Sequence, residues 1–218
     1  MGKFTILLGC LLISIAVAAQ EAPFYQDILR FKELDKMDSP PKGAILFVGS
    51  SSFTNWKDVA SYFPGYIIIN RGFGGSSLPD LLLYEKDVIF PYRPKQVVIY
   101  CGENDFAAAD TVQTKTVVAR FIQLFTDIRR KLPKASIVFV SIKPSPSRRQ
   151  LQPKIIAANL QISQFLSTQP QAVFINVYDK MLEPDGSMMS GIFLSDSLHM
   201  NAKGYAIWKK AIEPSLLH

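Results

Sequence analysis

The stretch Ala44-Ile45-Leu46-Phe47-Val48, followed at once by Gly49-Ser50-Ser51-Ser52-Phe53, decides how the chain is read. Five apolar residues in a row, with no polar residue alternating between them, describe a strand buried on both faces. The small residues that follow describe a turn. The same pattern returns at 66–69, 96–100, 136–140 and 172–177. Amphipathic stretches separate these runs. Residues 111–132 carry Val117, Val118, Phe121, Ile122, Leu124, Phe125 and Ile128 at helical spacing, and 151–166 and 202–212 behave alike. Residues 24–37 predict a leading helix. Strands alternating with helices imply a parallel sheet covered on both faces, an α/β architecture. In such a sheet, binding sites form beyond the carboxyl ends of the strands. Pro133, Pro144, Pro146, Pro153 and Pro170 punctuate the segments, and no repeat, low-complexity tract or linker interrupts them.

Of the 218 residues, 48% are hydrophobic and 19% charged, which excludes a disordered chain and fits one domain with a sizeable core. The net charge is +6, with a sequence pI near 9.3. The basic residues are scattered, however. Arg129, Arg130 and Lys131 close a helix, where cations complement the dipole, and Arg148 and Arg149 sit in a loop. With no stripe of basic and aromatic residues, a nucleic-acid partner is not expected.

Lys3, an apolar run over 4–17 and the small residues Val17-Ala18-Ala19 form an export signal, with cleavage expected after Ala19. This divides the chain into a signal peptide, 1–19, and a single domain, 20–218, destined for secretion or the periplasm. An uncleaved anchor is the competing reading. No later run is long enough to span a bilayer, so no stable membrane insertion is expected after cleavage. Cys10 leaves with the signal. Cys101 then has no intramolecular partner, and its apolar surroundings make it a buried small hydrophobe.

Four blocks carry the candidate chemistry: Gly49-Ser50-Ser51-Ser52-Phe53, Asn70-Arg71-Gly72-Phe73-Gly74-Gly75-Ser76, Gly102-Glu103-Asn104-Asp105 and Asp196-Ser197-Leu198-His199. The first three follow strands and can converge on one rim. Each is weak alone: a Gly-Ser run is usually a turn, Asn-Asp after a strand can be a helix cap, and Asp-x-x-His can be a surface pair. The glycine-rich block lacks the spacing of a nucleotide-binding loop. Elimination sharpens the reading. The chain has two histidines, and His218 is terminal, so serine–histidine chemistry rests on His199 unless the tail folds back. That scarcity also argues against a zinc enzyme, and no metal or cofactor is implied. The Gly-x-Ser-x-Gly elbow of α/β-hydrolases is excluded, because Phe53 stands at its last glycine.

Together the blocks resemble the SGNH hydrolases, or GDSL esterases, named for Ser, Gly, Asn and His in four ordered blocks; the likeness runs from about Ala44 to Trp208. The resemblance implies a three-layer α/β/α sandwich around a parallel, flavodoxin-like sheet. It further implies Ser51 as nucleophile and Asp196 and His199 as acid and base. Gly75 and Asn104 would be oxyanion donors, joined by the Ser51 N–H. One departure is notable: Ser50 stands where the family usually has Asp. The three consecutive serines leave Ser50 and Ser52 as fallback nucleophiles.

The chemistry needs these residue types. A serine hydroxyl requires a base to take its proton, an imidazole can do so near neutrality, and a carboxylate holds the imidazole in the right tautomer. N–H donors aimed at the acyl oxygen lower the barrier by ~3 kcal/mol each. Asp105 is assigned only a capping or supporting role. The expected activity is hydrolysis of carboxylic esters through an acyl-serine. By family analogy the substrate is an acetylated glycan; Trp56 and Tyr62 are candidate sugar-stacking rings, although aromatics after a strand more often belong to the core. Lysophospholipid or thioester substrates, acyl transfer by the same triad, and a non-catalytic glycan-binding domain are the alternatives.

Overall fold

The computed structural model describes residues 21–218. The expected signal peptide, its cleavage site and Cys10 lie outside the described residues. In chain order the elements are α1 (Tyr25–Met37), β1 (Ile45–Gly49), α2 (Ser51–Thr54), α3 (Val59–Tyr62), β2 (Ile68–Gly72), α4 (Leu78–Val88), β3 (Gln96–Tyr100), α5 (Glu103–Ala108), α6 (Thr114–Lys131), β4 (Ser136–Val140), α7 (Gln152–Ser167), β5 (Ala172–Ile175) and α8 (Ala202–Ile212). The five strands form one parallel sheet in the order β2-β1-β3-β4-β5. This is the doubly wound arrangement, in which the chain starts near the middle and reverses direction once.

The unbroken apolar runs are explained by the two cores. Leu46, Val48, Val97, Ile99, Ile137 and Phe139 point to one face and pack against α1, α4, α6 and α7. Their neighbours Ile45, Phe47, Val98, Tyr100, Val138 and Val140 point to the other face, against α2, α3 and α8. Each strand therefore feeds two cores, and a polar residue on either face would be buried. The second core is aromatic: Trp208 meets Phe53, Trp56 and Tyr100 edge-on, and Tyr205 stacks on Trp56. That packing ties α8 to α2.

One sequence expectation needs correction, and one open choice is decided in favour of the core. The strand expected at 66–69 starts at Ile68 and runs on to Gly72, through residues that read as loop. Asn70 and Arg71 are tolerated there because their polar atoms are satisfied. Asn70 Nδ2 donates to the Phe53 and Trp56 carbonyls, and Arg71 pairs with Asp35 and donates to the Tyr92 hydroxyl at 2.7 Å. Trp56, considered as a sugar platform, is fully buried in the aromatic core, with Tyr62 edge-on to it at 5.1 Å. Cys101 is buried and has no disulfide partner among the described residues, and burial pushes its thiol well above the ordinary range. No helix among the described residues is long and apolar enough to cross a membrane.

Candidate functional site

The site is built at the carboxyl ends of β1, β2 and β3. Gly49, the last residue of β1, adopts φ +145, and a Cβ built there would lie 1.9 Å from the Tyr100 carbonyl oxygen. Only glycine allows the chain to turn out of the sheet at this point while β1 stays in register with β3. The Ser50 N–H then donates to that same Tyr100 carbonyl at 3.1 Å, and Ser51 opens the short helix α2. The β2 loop is drawn alongside: the Phe73 N–H and the Ser76 hydroxyl both donate to the Gly49 carbonyl, at 2.9 and 3.2 Å. A Cβ built on Gly74 would come within 4.0 Å of the Ser51 Cβ, so this loop borders the serine. Gly75 adopts φ +88, a left-handed conformation that favours glycine.

His199 arrives from an irregular segment after β5. An isolated bridge between Phe193 and Met200 and the bond from the Leu194 N–H to the His199 carbonyl (2.8 Å) close a tight loop around Ser197. Asn201 then caps α8 through the N–H groups of Lys203 and Gly204, while its amide donates to the Gly191 and Phe193 carbonyls. The loop is thereby anchored to the helix whose aromatic residues pack on α2.

The result is a contiguous relay. His199 Nε2 lies 3.0 Å from Ser51 Oγ, and His199 Nδ1 lies 2.6 Å from Asp196 Oδ2. Asp196 Oδ1 accepts the backbone N–H groups of Leu198 and His199, each at 2.9 Å. The His199 ring and these two N–H groups hold the Asp196 carboxyl at about 2, so it stays ionised across any ordinary pH. Of the three serines, Ser51 alone meets His199. The Ser50 hydroxyl accepts from Asn104 Nδ2 at 2.7 Å, and Ser52 is buried with its carbonyl bonded to the Tyr205 hydroxyl. The tail does not supply a second imidazole: His218 stacks on Tyr66 and meets its hydroxyl at 3.0 Å.

Asn104 stands on the first turn of α5. Its Nδ2 donates to Ser50 Oγ and, at 3.0 Å, to the Ser76 carbonyl, while its Oδ1 accepts from Arg148 Nη1 at 3.0 Å. An acyl oxygen at Asn104 must therefore share or displace the Ser50 hydroxyl. Behind α5 lies a buried ionic cluster absent from the sequence reading. Glu103 accepts from the Tyr100 hydroxyl (2.8 Å), Lys143 Nζ (2.9 Å) and the Ser145 hydroxyl (2.6 Å), and Lys143 is 1% exposed. Burial alone would raise the Glu103 carboxyl, but the charges of Lys143 and Arg148 and the Ser145 bond overcome it and hold it low. Burial in turn lowers Lys143, against the pull of Glu103. Asp105 caps a different helix from the one it sits on: it accepts the Leu78 N–H at the start of α4 (2.9 Å) and pairs with Arg120 at 2.7 Å. The sequence offered one cue to the cluster, Lys143, Arg148 and Arg149 soon after β4, but not its carboxylate partner.

A doubly wound sheet in the order β2-β1-β3-β4-β5, with Ser51, His199 and Asp196 meeting at its rim and no Gly-x-Ser-x-Gly elbow, is the arrangement of the SGNH class of hydrolase folds rather than of the α/β-hydrolases. The chain belongs to the GDSL-like lipase/acylhydrolase family, whose sequence profile matches residues 41–207. Its fold is shared with a GDSL-like lipase from Bacteroides thetaiotaomicron, at TM-score 0.74 and 20% identity over 86% of this chain and 96% of that one. It is also shared with a catalytic mutant of an acetylxylan esterase from Geobacillus stearothermophilus, at TM-score 0.65 and 13% identity over 80% and 94% of the two chains. Curated protein sequences gave no match.

Proposed function

We propose that this protein is an exported serine esterase that hydrolyses short-chain carboxylic esters, acetylated glycans foremost, through an acyl-serine intermediate. The observation that carries the reading is the 3.0 Å approach of His199 Nε2 to Ser51 Oγ with Asp196 behind the ring. In the first half-reaction His199 takes the Ser51 proton as Oγ attacks the ester carbonyl, and returns it to the leaving alcohol. In the second it takes a proton from water, which attacks the acyl-serine, and returns that proton to Ser51 Oγ as the acid is released. The Gly75 and Ser51 N–H groups and the Asn104 amide donate to the acyl oxygen as it gains charge.

Glycan esters are favoured by two observations. The Asp196 and His199 side chains are 46% and 25% exposed, so the relay opens to solvent as a polymer would require. The fold is also that of an acetylxylan esterase. The test is acetate release from acetylated xylan, beside a chain-length series of p-nitrophenyl esters, by the protein and its Ser51→Ala variant. Ser51-dependent acetate release and preference for acetyl over long acyl esters are expected. Preference for long acyl chains would replace the glycan reading with a lipase-like one. Export is tested by sequencing the mature N-terminus, expected at Gln20.

A further inference from the structure

We propose that Arg148 is a positioning residue, acting through Asn104 to present an N–H rather than an oxygen to the acyl oxygen; this rests on the esterase reading above. An asparagine amide can turn by half a rotation, exchanging a donor for an acceptor. The flipped form would aim lone pairs at a developing negative charge. Two neighbours of Asn104 discriminate between these orientations. The Ser76 carbonyl can only accept, and it takes Nδ2 at 3.0 Å; the Arg148 guanidinium can only donate, and it gives Nη1–H to Oδ1 at 3.0 Å. The third neighbour, the Ser50 hydroxyl, can do either and selects nothing.

Arg148 also brings charge. Glu103 is already matched by Lys143 at 2.9 Å, and Arg148 reaches the same carboxylate only at 3.5 Å. Two cations thus face one buried carboxylate, and the surplus sits against the Asn104 carbonyl. A cation on the amide oxygen draws electron density from the amide and strengthens its N–H as a donor. The arginine is held in place by its own backbone. The Arg148 N–H donates to the Ser145 carbonyl at 2.9 Å, and the preceding Ser147 N–H donates to the Ser197 carbonyl at 3.1 Å. Ser145 is fixed on Glu103, and Ser197 lies between Asp196 and His199, so one short segment spans the oxyanion side and the relay side of the site.

The experiment is steady-state kinetics on a neutral short-chain aryl ester for Arg148→Met and Arg148→Lys, each made in the wild-type and the Asn104→Ala backgrounds, with thermal melts of all variants. Arg148→Met should lower kcat about tenfold with KM within about twofold, the size of one charge-assisted hydrogen bond. Arg148→Lys should recover part of the loss, since an ammonium can still donate to Oδ1. On Asn104→Ala the same Arg148 changes should cost less than about twofold, because the group through which Arg148 acts is gone. Three results would overturn the proposal: wild-type kcat in Arg148→Met, an equal loss on both backgrounds, or an effect confined to KM. Should Arg148→Met fail to fold, the lysine pair decides alone: it must still show a larger kcat effect with Asn104 present than without it. If turnover is Ser51-dependent yet indifferent to Arg148, only this proposal falls; if no Ser51-dependent turnover exists, the esterase reading and this proposal fall together.

Discussion

Replacing Asp196 by asparagine changes one atom, and the geometry dictates where that atom goes. Asp196 Oδ1 accepts two backbone N–H groups, from Leu198 and His199, both at 2.9 Å. In the variant the amide oxygen must stay there, because an NH2 would confront two donors. The NH2 is thereby forced onto His199 Nδ1, 2.6 Å away in the parent. Nδ1 must then accept, so the ring carries its proton on Nε2, which faces Ser51 Oγ. An imidazole already protonated at Nε2 cannot take the serine proton. The expected loss in kcat is about 10⁴-fold, or about 5 kcal/mol of barrier, the scale of the same change in a serine protease. Stability should hardly change, since Asp196 is 46% exposed and keeps both backbone bonds. The assay is p-nitrophenyl acetate hydrolysis at neutral pH against a Ser51→Ala baseline, with a thermal melt as fold control. A folded Asp196→Asn enzyme retaining more than about a tenth of the parent kcat would refute the tautomer argument.

Two further outcomes follow from neighbouring geometry. Ser50→Ala should keep kcat within about threefold, because the Ser50 hydroxyl meets Asn104 and not His199 while Ser76 and Arg148 continue to orient the amide; complete loss of turnover in a folded variant would return Ser50 to the candidate nucleophiles. Glu85→Gln should raise the melting temperature by about 2–4 °C at neutral pH, the worth of about 1 kcal/mol in a domain of this size. Glu85 is buried, its Oε2 has no hydrogen-bond partner among the described residues, and burial, then nearby Asp127, raises its carboxyl. A raised folded value means that ionisation costs the folded state, a cost absent below the ordinary carboxylate range and growing as pH rises through it. The gain should therefore vanish in melts at acid pH, and a pH-independent gain would remove the electrostatic explanation.

What was legible in the sequence divides by how far a residue's role depends on distant partners. The strands at 44–48, 96–100 and 136–140 were readable because residues buried on both faces must all be apolar, a property local to each run. The C-terminal half of β2 was not, because Asn70 and Arg71 are made acceptable by Phe53, Trp56, Asp35 and Tyr92, none of them nearby in sequence. Helix α4 went unread although Ser77 and Asp80 form a reciprocal cap with Pro79 between them, a local signal that was available. At the site, Ser51, Gly75, Asn104, Asp196 and His199 could be named from four blocks in a fixed order, and the fold brings Ser51, Asp196 and His199 into one relay. Arg148, Lys143 and Ser145 could not be named. Their significance comes from Glu103 and, for Arg148, from Asn104, some forty residues away, and partners at that distance leave no periodic or spacing signal.

The most direct measurement is mass mapping after treatment with a fluorophosphonate, which captures a serine activated as an acyl acceptor. The account predicts one adduct per chain, on Ser51, absent from Ser51→Ala and formed far more slowly in His199→Ala. A well-folded protein that takes no adduct, or one that carries it on another residue undiminished in Ser51→Ala, would contradict the account.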